Sequence, residues 1–302
     1  MIITRLMGGL GNQMFQYAFG LSTSKRNNTK LKIDTTLLKP ANNQGSNQVS
    51  RNFELDAFKI DLQFATNFEI ELYNGSAKNR FVLRRLFFLV LRKVLKKKLY
   101  IQPNHDFDPN QLKIRNNTCI VGRWQSEIYF RDVESDIREH FKFKKDLSES
   151  YEEYLTKILQ SENSTSVHIR RTDYVNHPEY SQKIGALTES YYLNAISLLN
   201  KQVDYPTLFI FSDDIEYTKT IFANMKISNE CIFIDPKVPN PHDELRLMTN
   251  CKHHIISNST FAWWGAWLAN KQEGAKTIAP KSWARSSKYK PPYIQCKSWI
   301  LL

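Results

Sequence analysis

The C-terminal half of the chain alternates short apolar segments with longer helix-like segments, and this alternation restricts the fold more than any other feature. Strands are predicted at 166–169, 207–211, 231–234, 254–256 and 277–279. Helices are predicted between them at 187–199, 215–225, 243–250 and 261–269. Short apolar strands joined through helices form a parallel sheet with both faces covered. The sequence therefore predicts a doubly wound α/β domain in this half.

The N-terminal half contains a second α/β pattern. Strands are predicted at 2–6, 31–34 and 119–122, and a glycine-rich turn at 8–12 leads into a helix at 13–23. A chain of 302 residues is long enough for two domains. Because residues 141–165 are polar, the boundary is expected there, giving domains 1–150 and 151–302.

Composition excludes several protein classes. Hydrophobic residues make up 41% of the chain and charged residues 24%, as in ordinary globular proteins. The longest apolar run, 86–91, is far shorter than the roughly 20 residues that a membrane-spanning helix needs. The N-terminal residues show no leader pattern. These observations predict a cytoplasmic protein.

Positive charge is concentrated in one segment. The formal net charge is +12, and residues 80–98 carry eight basic residues and no acidic one. Three interpretations remain open: a helix at an anionic membrane surface, a helix half-buried against its own domain, or a nucleic-acid contact. No nucleic-acid-binding motif accompanies the charge, so no nucleic acid is expected as a partner.

Three polar clusters follow predicted strands of the C-terminal half, where doubly wound sheets bind their ligands. The first is Arg170 and Arg171, and the second is Asp213 and Asp214. The third is a run of four polar residues, Ser257, Asn258, Ser259 and Thr260. Arginines and a helix N-terminus bind phosphate oxygens, whereas carboxylates accept hydrogen bonds from sugar hydroxyls or a base. Together the clusters predict a nucleoside-diphosphate site.

Two common nucleotide-binding motifs are missing. The chain contains no Gly-x-x-x-x-Gly-Lys loop, and the glycines at 8–11 do not fit the Gly-x-Gly-x-x-Gly spacing. ATPase and dehydrogenase functions therefore lose support.

Five segments resemble glycosyltransferase family 11, which comprises alpha-1,2-fucosyltransferases. They read GGLGNQMFQYA at 8–18, WQSE at 124–127, HIRRTD at 168–173, FSDD at 211–214 and SNSTFAWWG at 257–265. The resemblance implies a GT-B fold, with two Rossmann-like domains facing across a cleft. The N-terminal domain would lie on the acceptor side and the C-terminal domain would bind GDP-fucose.

The resemblance also implies the reaction. L-fucose would pass from GDP-fucose to the 2-hydroxyl of a terminal beta-galactoside, with inversion and with neither a cofactor nor a divalent metal. Arg171 would contact the pyrophosphate. Asp173 would act as general base or orient Arg171 through an ion pair, and Glu127 is a second candidate base.

The same resemblance assigns donor binding to residues in both domains. In the N-terminal domain these residues are Gly9, Gly11, Asn12 and Gln13. In the C-terminal domain they are His168, Arg170, Asp213, Asp214, Ser257, Asn258, Ser259 and Thr260.

Partners and alternatives follow from these assignments. The acceptor would be a precursor of a bacterial glycan, lipid-linked if residues 80–98 hold the enzyme at the inner face of the membrane. One alternative is a fucosyltransferase of another linkage. Another is a non-catalytic, basic nucleotide- or RNA-binding protein.

Overall fold

The chain divides into two compact α/β units, Met1–Lys144 and Lys145–Leu302. The computed structural model describes residues 1–38, 51–74, 82–104, 107–269, 272–286 and 293–302. The sequence predicts a boundary after residue 150, whereas the second unit begins at Lys145. The reason is that helix Glu149–Gln160 packs against helix Pro241–Asn250, so it belongs to the second unit.

The first unit is built on a parallel sheet. Its elements in chain order are β1 (Ile2–Arg5), α1 (Leu10–Arg26), β2 (Leu31–Asp34), α2 (Asn67–Asn74), α3 (Val82–Val94), β3 (Lys98–Ile101), β4 (Thr118–Val121) and α4 (Glu134–His140). The strand order is β2-β1-β4-β3. Strand β3 was not predicted, because it begins on the last residue of the basic segment and its apolar run, 99–101, is only three residues long.

Close packing of α1 on β1 fixes the core of the first unit. Gly20 lies so near the sheet that an added Cβ would come within 3.1 Å of the Thr4 Cβ, so the helix approaches the strand as closely as its backbone allows. The Phe19 ring of α1 stacks on Trp124 with centroids 4.2 Å apart. Both aromatic side chains are fully buried, which anchors the segment after β4 to the same core.

The second unit contains the doubly wound sheet that the alternation predicts. Its elements are α5 (Glu149–Gln160), β5 (Ser164–Ile169), α6 (Thr172–Asn176), α7 (Pro178–Lys183), α8 (Glu189–Asn200), β6 (Thr207–Ser212), α9 (Ile215–Met225), β7 (Cys231–Phe233), α10 (Pro241–Asn250), β8 (His253–Ile255), α11 (Thr260–Leu268), β9 (Thr277–Ala279) and β10 (Ile300–Leu301). The strands are parallel in the order β10-β9-β8-β5-β6-β7. The predicted mixed α/β class with parallel sheets is confirmed in both units.

The strand order decides where polar side chains meet. Strand β5 pairs with β6 on one side, with Ile169 opposite Ser212, and with β8 on the other, with Val167 opposite Ile255. The carboxyl ends of these three strands therefore lie next to one another. Within the described residues, no helix combines the length and the apolar character needed to cross a membrane.

Candidate active site

The loops after β8, β5 and β6 meet at one edge of the second sheet. They carry the three polar clusters that the sequence singles out, and hydrogen bonds join them directly. The Asp213 carboxylate accepts from the backbone of the β5 loop, and His168 of β5 contacts Ser257 after β8. The structure thus brings the arginine, aspartate and serine clusters together.

Arg170 is held between two carboxylates. Its Nη2 lies 2.6 Å from the Oδ2 of Asp173, and its Nη1 lies 3.1 Å from the Oδ2 of Asp213. Burial lowers the pKa of the guanidinium, but the neighbouring Asp213 and Asp173 outweigh burial, so that the pKa of Arg170 is raised overall. The sequence considered an ion pair of Asp173 with Arg171, but the structure pairs Asp173 with Arg170 instead. A three-residue step along the first turn of α6 brings these two side chains together.

Arg171 is oriented by a different pair of residues. Its Nε donates to Asp214 Oδ2 at 3.1 Å, and its guanidinium carbon lies 3.3 Å from the centroid of the Tyr217 ring. A planar cation stacked on an aromatic face keeps a defined orientation. Because the bond to Asp214 uses Nε, the terminal nitrogens of Arg171 retain donors for an anionic ligand.

Asp213 organises the loop after β5. One carboxylate oxygen accepts from the backbone N–H of Arg171 at 2.8 Å, and the other accepts from the backbone N–H of Thr172 at 3.1 Å and from the Thr172 hydroxyl. The Asp213 oxygens are thus already used by the protein. These contacts position the loop through Asp213, and its assignment to donor binding stays a prediction.

Asp214 is more accessible than its neighbour. Its Oδ1 caps α9 by accepting from the backbone N–H of Tyr217 at 3.3 Å. About a third of the side chain, 36%, remains exposed. Of the two adjacent aspartates, Asp214 is therefore the one that can also accept hydrogen bonds from a ligand.

The polar run after β8 is largely locked into the fold. The Ser257 hydroxyl lies 2.8 Å from His168 Nδ1, and the Asn258 amide donates to the carbonyls of Gly185 and Trp283 at 2.9 and 3.2 Å. Burial lowers the pKa of His168 to about 4, so its ring is neutral near pH 7. Ser257, Asn258 and His168 therefore hold this loop to neighbouring segments, and their assignment to donor binding stays a prediction.

The start of α11 is the part of this loop whose backbone is suited to an anion. Ser259 occupies the N-cap position, its side chain forms no capping hydrogen bond, and Thr260 opens the helix. The first N–H groups of an α-helix and the positive end of its dipole attract phosphate. Two tryptophans of α11, Trp263 and Trp264, are fully buried and pack in the core.

The glycine-rich turn of the first unit is braced by Gln13. The Gln13 amide nitrogen donates to the carbonyls of Gly8 and Asn52 at 2.9 and 2.8 Å, and its oxygen accepts from the Glu54 backbone at 3.1 Å. Gly8 has a φ of +78°, a conformation that favours glycine. The Gln13 amide thus holds the turn, and the expected contact of Gln13 with the donor stays a prediction.

The other candidates of the first unit surround this turn. Gly9 is the N-cap of α1, its carbonyl accepts from the Asn12 backbone at 2.9 Å, and Gly11 is buried in the first turn. The Asn12 side chain is partly exposed and accepts from the Gln125 amide at 2.7 Å. Asn12 is therefore the side chain of this group best placed to meet a ligand.

Glu127 lies in a short 3-10 turn of the first unit. Ser126 caps this turn through the Ile128 backbone at 3.3 Å, and Glu127 pairs with Arg131 at 3.0 Å. An ion pair with an exposed arginine is weak in water, so the carboxylate can exchange that partner for another.

Sequence reasoning missed two residues near the arginine cluster. Tyr217, which stacks on Arg171, lies three residues after Asp214 in the first turn of α9, and this spacing was the available signal. Glu244 of α10 lies close enough to Asp213 to feel its charge. Burial and then Asp213 raise the Glu244 pKa to about 7. Nothing in its sequence context indicates this, because the proximity to Asp213 arises only from the fold.

Comparisons with known proteins agree with these motifs. The model of the family described as "Glycosyl transferase family 11" matches residues 1–302. An alpha-1,2-colitosyltransferase of Escherichia coli is 35% identical to this chain, over 93% of this chain and 92% of that protein. The O-antigen biosynthesis glycosyltransferase WbnK of Escherichia coli is 31% identical, over 98% of this chain and 99% of that protein.

A solved structure shares the fold. The structure of a point mutant of Arabidopsis thaliana FUT1 in complex with GDP aligns with a TM-score of 0.50. The alignment covers 92% of this chain and 69% of that one at 11% identity, so it bears on the fold alone. From the family match and the full-length relatives it follows that this chain is a glycosyltransferase that belongs to glycosyl transferase family 11.

Proposed function

We propose that this enzyme transfers L-fucose from GDP-fucose to the 2-hydroxyl of a terminal beta-galactoside. The observation that carries the proposal is the meeting of Arg171, its stacked and paired neighbours, and the start of α11 at one edge of the second sheet. In this proposal the second unit binds the nucleotide and the first unit serves the acceptor. Membership of family 11 supports the class of reaction.

The proposed mechanism is a single inverting displacement without a divalent metal. As the bond between fucose and phosphate breaks, negative charge develops on a phosphate oxygen, and fixed donors stabilise it. Arg171 and the backbone N–H groups at the start of α11 are the donors we assign to that charge. Arg170 keeps the loop in place through Asp173 and Asp213.

We assign the general base to Glu127. Asp173 is the other candidate, but it is bound to Arg170 at 2.6 Å, and a carboxylate held by a buried arginine is a poor proton acceptor. Glu127 is paired with Arg131, more than half of whose side chain is exposed, and such a surface pair is exchanged at little cost. In this scheme Glu127 removes the proton of the acceptor hydroxyl, and the new bond forms at the fucose anomeric carbon as GDP leaves.

Calorimetry of nucleotide binding tests the donor assignment. GDP is expected to bind and UDP to bind far more weakly, and EDTA is expected to leave GDP binding and turnover unchanged. Equal binding of UDP would refute the choice of GDP. Loss of turnover in EDTA, restored by Mg²⁺, would refute the metal-independent scheme.

Product analysis tests the reaction. With GDP-fucose and lactose, NMR is expected to show an alpha linkage to the galactose 2-hydroxyl, and another linkage would refute that regiochemistry. If GDP-fucose and lactose release no GDP, the proposed reaction is refuted.

A second sugar has specific support. The relative at 35% identity is named as an alpha-1,2-colitosyltransferase, so colitose is the competing transferred sugar. Parallel assays with GDP-fucose and nucleotide-activated colitose distinguish the two. A kcat/KM at least tenfold higher for colitose would replace fucose in the proposal and leave the nucleotide site unchanged.

A further inference from the structure

The apolar side of helix α3 in the first unit is exposed to solvent. Of its 13 residues only Phe88 is buried, with 3% of its surface exposed, and Phe88 packs on Phe68 of α2 at 5.4 Å between centroids. Large apolar side chains of the helix are instead exposed, among them Leu83 at 83%, Phe87 at 56% and Val90 at 62%. A helix of a globular protein normally shows the opposite arrangement.

The exposed apolar side chains lie on one side of the helix and form a stripe. At 100° per residue they cover an arc of about 160° of the helix. The stripe consists of Val82, Leu83, Leu86, Phe87, Leu89, Val90 and Val94. Phe88, which anchors the helix to α2, lies outside this arc, so packing within the unit leaves the stripe in contact with solvent. A contiguous apolar patch of this kind marks an interaction surface.

Basic residues lie beside the stripe, and one of them, Lys93, falls within its arc. From Val82 to Lys98 the chain has seven basic residues and no acidic one. Contacts within the protein use three of them: Arg84 pairs with Glu71 at 2.9 Å, Arg92 donates to the Lys97 carbonyl at 3.3 Å, and Lys97 donates to Asn117 at 2.8 Å. The remaining four, Arg85, Lys93, Lys96 and Lys98, are exposed.

The basic residues and the apolar stripe of α3 together indicate which kind of partner binds this surface. A second copy of the same helix would bring two basic clusters together, and nucleic acid would leave the apolar stripe in water. An anionic bilayer accommodates both features, because acyl chains receive the apolar stripe while the headgroups attract Lys and Arg. A helix of 13 residues is too short to cross a bilayer but long enough to lie in its interface.

We propose that α3 is an interfacial membrane-binding helix that holds this enzyme on an anionic lipid surface. Its axis would lie parallel to the bilayer, with Phe87, Val90 and Leu83 in the acyl region. Binding should be reversible and weakened by salt, because it combines a short apolar insertion with headgroup attraction. The proposal depends neither on the identity of the transferred sugar nor on the catalytic assignments.

Vesicle flotation of the full chain is the experiment. The protein is expected to float with phosphatidylcholine vesicles that contain about one-third phosphatidylglycerol, and to stay in the dense fraction with pure phosphatidylcholine. Raising NaCl from about 0.05 M to about 0.5 M should release most of it. Failure of the wild-type protein to float with the anionic vesicles would overturn the proposal.

Two sets of substitutions separate charge from apolar contact. The first variant removes exposed charges and leaves the contacts of Arg84, Arg92 and Lys97 unchanged; it combines Arg85→Gln, Lys93→Gln, Lys96→Gln and Lys98→Gln. The second variant removes the centre of the stripe; it combines Leu83→Gln, Phe87→Gln and Val90→Gln. Each set is expected to weaken vesicle binding at least tenfold. Undiminished binding of either combined variant would contradict the proposal.

Matched controls use exposed residues elsewhere. The apolar control combines Leu159→Gln and Val238→Gln, whose side chains are 66% and 72% exposed, similar to those of the stripe. The charge control combines Lys201→Gln and Lys237→Gln, which remove exposed charge. These variants should float like the wild type. Size-exclusion chromatography without lipid completes the test. If the wild-type protein is a dimer and the combined changes at Leu83, Phe87 and Val90 convert it to a monomer, α3 is a contact between copies. That result would refute the membrane assignment.

Discussion

The guanidinium carbon of Arg171 lies 3.3 Å from the centroid of the Tyr217 ring, so the arginine is stacked on α9 while its Nε binds Asp214. This contact joins the loop after β5 to the helix after β6. It sets the orientation of the cation that we assign to the leaving group. Neither the position of the Arg171 guanidinium nor its orientation would follow from the Arg-Arg sequence alone.

Replacing Arg171 by lysine tests that assignment. Lysine keeps the charge but loses the planar fork and the stacking, so kcat/KM is expected to fall at least about 10²-fold, as for the loss of one transition-state donor. Steady-state kinetics and a thermal unfolding scan measure activity and folding separately. Tyr217→Phe keeps the ring and should stay within about threefold of wild type, whereas an active Arg171→Lys enzyme would remove Arg171 from the mechanism.

Asp213 and Asp214 form a natural matched pair for a second prediction. Asp213→Asn replaces an acceptor oxygen with an NH₂ group facing backbone donors of Arg171 and Thr172, and it should lower the free energy of unfolding by about 1–3 kcal/mol. Asp214→Asn, at a partly exposed site, should cost less stability but weaken GDP binding. Urea unfolding and calorimetry separate the two effects, and equal loss of stability in both variants would argue against the positioning role of Asp213.

Substitutions of Asp173 and of Glu127 are predicted to impair GDP binding and turnover in different ways. Asp173→Asn releases Arg170, so it should weaken GDP binding and lower kcat together. Glu127→Gln should lower kcat by about 10²-fold or more without changing the Kd for GDP, as expected for a lost general base. Calorimetry with single-turnover kinetics measures both quantities. If Asp173→Asn abolishes turnover with normal GDP binding, the base is Asp173 instead.

Buried histidines of β5 and β8 are predicted to make the fold acid-sensitive. Burial lowers the pKa of His168 and His253 to about 4 and that of His254 to about 3. Below the ordinary value of 6.5 the unfolded chain takes up protons that the folded chain does not bind. The stability conferred by the neutral rings is therefore complete above pH 6.5 and is lost as the pH falls towards 4.

Each such histidine adds up to about 1.4 kcal/mol per pH unit to this loss. Urea unfolding at a series of pH values measures it. His254→Gln is expected to flatten the dependence between pH 6.5 and about 4, and the same change at the partly exposed His242 serves as control. An unchanged slope in His254→Gln would show that this ring is not excluded from protonation in the folded state.

The sequence determined the class of fold and the location of the site. Strands such as 207–211 are short and apolar and are followed by amphipathic helices, and that pattern has one stable solution, a parallel sheet covered on both faces. The strand-end rule then points to Arg170, Arg171, Asp213 and Asp214. These predictions rest on local patterns, which a linear chain displays directly.

The tertiary structure alone decided what each polar side chain does. Gln13, Asp213 and Ser257 carry functional groups suited to a ligand, yet the protein itself uses them, through partners that lie 39, 42 and 89 residues away along the chain. The exposure of the α3 stripe could not be predicted from the sequence either, because an apolar helix face has the same sequence whether it is buried or not. Hydrogen bonds and burial depend on which distant segments meet in space, and a one-dimensional pattern does not contain that information.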